Sequence, residues 1–271
     1  MLTWIDGQPA SALPLSDRGL AYGDGVFETI AVRRGSMPLL TRHLERLVWS
    51  AERLALPLQV TRLETELRAF AQQLGQRVAK LIVTRGDGLR GYAPPPEARC
   101  RHLLSGAPLP SYPTQHAQTG IRVFPCQTRL AIQPRLAGMK HLNRLEQVLA
   151  RAEWQDSEHA EGLMCDMHGR VVEGVFSNLF LFKAGVLLTP ALTRCGVAGT
   201  LRAEIIARVQ ALDGSVVVRD IEYAELLAAD EVFFCNSLYG IWPVVALEHQ
   251  RWAVGPRTRD LQQQIADVLE L

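Results

Sequence analysis

Between residues 162 and 190 the chain runs through short apolar stretches divided by two-residue turns, and this pattern limits the fold more than any other. Residues 162–166, 171–175 and 179–190 read as strands and hairpins, turning at His168-Gly169 and Ala184-Gly185. Strands joined this tightly pair antiparallel, because a parallel neighbour needs a crossover of a dozen or more residues. A doubly wound parallel sheet is therefore excluded, and an α+β fold is predicted.

The remaining pattern fits two such domains. Residues 2–5, 25–32 and 78–84 read as strands. Leu40, Leu44, Leu47, Ala51 and Leu54 recur at helical spacing and predict a helix over 40–54, with a second over 61–74. The stretch 107–120, with Ser111-Tyr112-Pro113-Thr114 at its centre, reads as a linker. It divides an N-terminal α/β domain (1–106) from a C-terminal one (121–271). In the second, 121–126 is strand-like and 143–154 helical, with Asn143 as N-cap and Glu146 completing a capping box. A helix over 201–212 and a strand over 231–235 follow.

Net charge is +1 and no run of five like charges occurs, so no nucleic-acid footprint or polybasic membrane patch is visible. No apolar run reaches membrane-spanning length, and the N-terminus lacks the basic-then-apolar order of a leader. The five cysteines are widely spaced without a C-x-x-C pair, which argues against disulfides and structural zinc. A cytoplasmic enzyme with a small-molecule substrate, no nucleic acid, no membrane and no metal is expected.

Lysine is scarce: Lys80, Lys140 and Lys183 stand among 29 basic residues, the rest arginine. A primary amine can lose its proton and condense with a carbonyl, which a guanidinium cannot. Lys140 follows Gly138-Met139 and precedes a predicted helix, a rigidly held place that suits such a role.

Other signals are weaker singly. Gly86-Asp87-Gly88-Leu89-Arg90-Gly91 matches a dinucleotide fingerprint, but Tyr92-Ala93-Pro94-Pro95-Pro96 follows, where that motif requires a helix. A glycine-rich turn presenting Arg85, Arg90 and Tyr92 to a pocket is the better reading. Arg46, in His43-Leu44-Glu45-Arg46-Leu47, is either a solvated helix residue or a phosphate clamp. Gly199-Thr200-Leu201-Arg202 opens a helix whose exposed N–H groups suit an anion, and an ordinary helix entry explains it equally well. Glu173 sits mid-strand among apolar residues; if it points inward it needs a cationic partner.

Taken in order, these landmarks resemble the class IV aminotransferase family, the fold-type IV pyridoxal phosphate (PLP) enzymes with the D-amino-acid aminotransferase-like architecture. They run from Tyr22-Gly23-Asp24-Gly25-Val26-Phe27-Glu28-Thr29 through His43 and Arg46 to Lys140 and Asn143. Glu173-Gly174, Ser177-Asn178-Leu179-Phe180, Gly199-Thr200-Leu201-Arg202, Asn236-Ser237 and Pro243-Val244 complete the set. Residues 138–151 and 85–92 look most like the aminodeoxychorismate-cleaving lyases of that family. The alternative on the same scaffold is a D-amino-acid or branched-chain aminotransferase.

The resemblance implies a homodimer with the site between its two domains. It also implies PLP bound covalently by Lys140, with Glu173 at the pyridine nitrogen. Arg46, the N–H groups of Thr200 and Leu201, Asn236 and Ser237 would bind phosphate. Thr29, where transaminases tend to carry glycine, would assist proton transfer and touch substrate. Leu201 departs from the threonine common in transaminases, so only its backbone can serve. Arg90 and Tyr92 are candidates for the substrate carboxylates. The implied products are 4-aminobenzoate and pyruvate, a folate-precursor step.

Overall fold

Strand pairing in the computed structural model, which describes residues 2–88 and 90–270, sorts the chain into two units. One comprises residues 1–110 with Met139–Asn143; the other comprises 111–138 with 144–271.

The first unit contains β1 (Thr3–Ile5), β2 (Gln8–Pro9), α1 (Arg18–Tyr22), β3 (Gly25–Val32), α2 (Leu40–Arg53), α3 (Val60–Leu74), β4 (Arg77–Thr84) and β5 (Arg101–Ala107). Its antiparallel sheet has the order β2-β1-β5-β4-β3. Alternation along β3 sends Val26, Glu28 and Ile30 to one face and Phe27 and Thr29 to the other. Val26 and Ile30 join Leu47, Leu63, Leu67 and Phe70 in the core, and this register decides where Glu28 goes. β5 was not expected from the sequence.

The second unit contains α4 (Gln115–Gln118), β6 (Ile121–Leu130), α5 (Leu145–Arg151), β7 (His159–Asp166), β8 (Val171–Gly174), β9 (Asn178–Lys183), β10 (Val186–Pro190), α6 (Thr200–Ala211), β11 (Val216–Arg219), α7 (Tyr223–Leu227), β12 (Glu231–Asn236), β13 (Gly240–Leu247), β14 (Gln250–Arg251) and α8 (Pro256–Leu269). Its sheet runs β11-β10-β9-β12-β13-β6-β7-β8, with β14 beside β13. The expected hairpins are present as β7–β8 and β9–β10, both antiparallel. Parallel pairs occur at β6–β7, β6–β13 and β10–β11. Leu163, Leu179, Leu181, Phe234, Trp242 and Val244 fill the core.

Two expectations are corrected. Lys140 was assigned to the C-terminal domain, but its segment pairs with β3: Phe27 N–H donates to the Lys140 carbonyl at 2.9 Å and Leu142 N–H to that of Gly25 at 3.1 Å. Nor does Asn143 cap a helix. α5 begins at Leu145 without a side-chain cap. Asn143 instead donates from Nδ2 to the Gly23 carbonyl at 3.4 Å, and Glu146 Oε1 accepts from Ala131 N–H at 2.7 Å. Both capping side chains are engaged elsewhere.

Candidate functional site

In the first unit, Lys140 is half-buried, with Nζ 4.4 Å from the centroid of the Phe27 ring. The backbone pairing just described fixes where the amine emerges. Thr29, two residues along β3, lies on the same face as Phe27 and is half-buried.

On the opposite face of β3, Glu28 is buried against α2. Arg46 meets it with two parallel bonds, Nε to Oε1 at 2.8 Å and Nη2 to Oε2 at 2.5 Å. His43 Nδ1 donates to Oε2 at 2.6 Å. His43 and Arg46 share one face because they are three residues apart on the helix. Burial raises the Glu28 pKa, but the Arg46 charge and the His43 contacts outweigh it and hold it at about 2. Burial lowers that of His43. Arg46, expected as a phosphate clamp or a solvated residue, is not solvated: its side chain is 9% exposed and pairs with Glu28. His43 Nε2 is buried and meets no hydrogen-bond partner among the described residues.

Arg85 is structural: it binds both Asp24 oxygens, at 2.7 and 3.0 Å, and the carbonyls of Leu54 and Ala55. Arg18, missed in the sequence, is buried beside it. Its guanidinium reaches Asp24 and the carbonyls of Gly91 and Tyr92, at 2.8, 3.1 and 3.0 Å. Together these cations hold the Asp24 carboxyl below its ordinary range, despite a burial effect in the other direction. Arg90 and Tyr92 are exposed on the segment that Arg18 anchors, and Leu89 lies outside the described residues.

In the second unit, Glu173 points inward, only 4% exposed, and its Oε2 accepts from Val197 N–H at 2.8 Å. Asn178 donates to the Val197 carbonyl at 2.8 Å, fastening the same turn. That turn enters α6, with Gly199 at the N-cap and Thr200 and Leu201 in the first turn. First-turn N–H groups have no acceptor within their own helix. A side chain at 199 would force Asn178 to move, because a Cβ there would lie 1.9 Å from Asn178 Oδ1.

Asn236 ends β12 and shapes the next turn with its side chain. Oδ1 accepts from Leu238 and Tyr239 N–H at 3.0 and 3.1 Å, and Nδ2 donates to the Phe176 carbonyl at 3.4 Å. The Asn236 amide is thus engaged within the protein. Ser237 is half-buried in the turn.

These residues fit PLP in three respects. An inward carboxylate suits a ring nitrogen that carries a proton, a helix N-terminus suits a phosphate, and a half-buried amine suits an aldehyde.

Residues 25–247 match the family described as amino-transferase class IV, and the chain belongs to that family. Within it, the chain is 35% identical to the aminodeoxychorismate lyase of Vibrio harveyi, over 96% of this chain and 97% of that one. Against the crystal structure of 4-amino-4-deoxychorismate lyase from Pseudomonas aeruginosa it is 60% identical, covers both chains completely and superposes with a TM-score of 0.98. A putative branched-chain-amino-acid aminotransferase of Methanocaldococcus jannaschii is 31% identical over 93% of this chain and 89% of that one. The α+β architecture expected for fold-type IV is the one found.

Proposed function

We infer that this chain is a PLP-dependent lyase that converts 4-amino-4-deoxychorismate to 4-aminobenzoate and pyruvate. The observation that carries this reading is the full-length likeness to the Pseudomonas lyase, in a chain that holds Lys140 beside β3. When bound, PLP supplies an electron sink for the carbon bearing the substrate nitrogen.

The chain's own groups do the rest. Lys140 would hold the cofactor aldehyde and, with its amine free, would take the proton from the carbon bearing the substrate nitrogen at Nζ. Glu173 keeps a carboxylate at the ring nitrogen. The N–H groups of Thr200 and Leu201, with Arg46, Asn236 and Ser237, bind phosphate; the engaged Asn236 side chain favours its backbone for this contact. Thr29 assists proton transfer. Arg90 and Tyr92 meet substrate carboxylates. Breaking the ring C–O bond of the enolpyruvyl ether releases enolpyruvate, which takes up a proton to become pyruvate; the ring left behind is aromatic, so the departure is strongly downhill.

The test is incubation with aminodeoxychorismate in the absence of any 2-oxo acid. Fluorescent 4-aminobenzoate and an equal amount of pyruvate are expected. No 4-aminobenzoate, together with glutamate formed from an amino acid and 2-oxoglutarate, would replace the lyase by an aminotransferase.

The active assembly is a homodimer. Leu145, Val148 and Leu149 form an apolar stripe on α5 and are 76%, 60% and 61% exposed in the single chain, a pattern typical of a contact surface. The double change Leu145→Asp, Leu149→Asp is expected to shift the sedimenting mass from two chains to one. An unchanged mass would place the contact elsewhere. The five free thiols, four of them buried, support a reducing, cytoplasmic setting.

A further inference from the structure

Glu161 on β7 is fully enclosed, and no step of the mechanism above uses it. Its Oε1 accepts from Gly162 N–H at 2.9 Å and from Val175 N–H at 3.0 Å. The Ser177 hydroxyl bonds to Oε2. Tyr239 in turn donates to Ser177 Oγ at 2.6 Å. Val175 and Ser177 belong to the turn directly after Glu173, and Tyr239 closes the turn that begins at Asn236 and Ser237. The Tyr239 ring stacks on Trp242 with centroids 3.6 Å apart, so the hydroxyl has little freedom to leave the chain.

We propose that Glu161, acting through Ser177 and Tyr239, is a positioning residue that fixes the spacing between the Glu173 turn and the Asn236–Tyr239 turn. This rests on the assignment above, in which those turns serve the ring nitrogen and the phosphate of PLP. Setting both turns before the cofactor arrives lowers the ordering cost of binding.

Three features support the role. Glu161 gathers donors from both ends of the 175–177 segment instead of pairing with a single neighbour. Asn236 Nδ2 ties the same two turns a second time, at the Phe176 carbonyl. Burial also pushes the Glu161 carboxyl up to about 8, against the Ser177 hydroxyl and backbone donors that favour its charged form. Glutamine copies the planar shape, keeping an oxygen for the Gly162 and Val175 N–H groups and an NH2 group that can donate to Ser177 Oγ.

The experiment titrates the full-length chain with PLP after cofactor removal, following the visible absorption band, and records the thermal midpoint of the cofactor-free protein. Tyr239→Phe keeps the ring stack and removes only the hydroxyl. It is expected to weaken PLP binding about 3- to 10-fold, with the cofactor-free midpoint within a few degrees of wild type. Glu161→Ala is expected to weaken binding about 10- to 30-fold, and Glu161→Gln to restore it to within about twofold of wild type.

The Glu161→Ala, Tyr239→Phe double variant should bind no more weakly than Glu161→Ala alone, because both act through one chain. If Glu161→Ala does not fold, Tyr239→Phe decides alone. Wild-type binding with Tyr239→Phe inside twofold of it overturns the positioning role, as do single effects that multiply in the double variant. A wild type that binds no PLP removes the cofactor assignment itself, and this role with it.

Discussion

Lys140→Ala is expected to lower the rate of 4-aminobenzoate formation by at least about 10³-fold, the range for losing a positioned proton-transfer group that is also the covalent anchor. The fold should survive. The side chain is half-buried, and one interaction it loses is the contact of Nζ with the Phe27 ring at 4.4 Å, worth about 0.5–1 kcal/mol at such a site. Its backbone bonds to β3 do not depend on side-chain identity.

Lys140→Arg is the sharper variant. Arginine retains positive charge over Phe27 and loses only the ability to deprotonate and condense. If charge were the function, the arginine variant would keep much of the activity; the expected result is a loss as deep as that of alanine. Borohydride reduction followed by peptide mass mapping gives an independent check, since the wild type should carry the cofactor mass on residue 140 and both variants should not. Wild-type product formation persisting in Lys140→Arg would end the argument that this amine is the anchor.

Elements with strong local patterning were legible before the structure. β3 was expected over 25–32, as found, and α2 differs from its expected range only at its last residue, because apolar spacing on each is set by a single buried face. β5 begins Arg101-His102 and contains Gly106, so its pattern is diluted although its hydrogen bonds to β1 and β4 are regular. β13 carries Pro243 within the sheet, which counts against a strand in sequence. α8 buries Leu261, Ile265 and Leu269, a stripe set among arginines, glutamines and aspartates.

Capping at Asn143 failed for a different reason. The Ser/Thr/Asn-x-x-Glu pattern is local, whereas the partners that took those side chains, Gly23 and Ala131, are distant in sequence.

The site divides in the same way. The apolar neighbours of Glu173 left its direction open between surface and interior, and it points inward. The ion pair of Arg46 was hidden, because its partner lies 18 residues away on a strand whose register alone selects the facing side chain. The Glu161 chain was more remote still, joining Ser177 to a tyrosine 62 residues further on. Only alternation along β3 could have singled out Glu28, since it places an acid on the face otherwise filled by Val26 and Ile30.

Glu28→Gln is expected to destabilise the protein by about 3–5 kcal/mol at pH 7, the range for removing one member of a buried ion pair. Arg46 and His43 would remain enclosed, their side chains 9% and 1% exposed, and a neutral amide cannot replace the two charge-assisted bonds to the guanidinium. The pH dependence identifies the cause. The folded-state pKa of about 2 lies below the ordinary value of 4.5, so Glu28 contributes its stability above pH 4.5 and loses it as pH falls toward 2. That difference corresponds to about 3 kcal/mol. Other paired carboxylates, Asp24 and Asp166 among them, are also held below their ordinary values, so the informative quantity is the gap between wild type and variant. Urea unfolding at pH 7, 5 and 3 should show that gap constant from 7 to 5 and narrower at 3. A gap that stays the same size at pH 3 would mean that the variant is weakened by lost packing and not by lost charge.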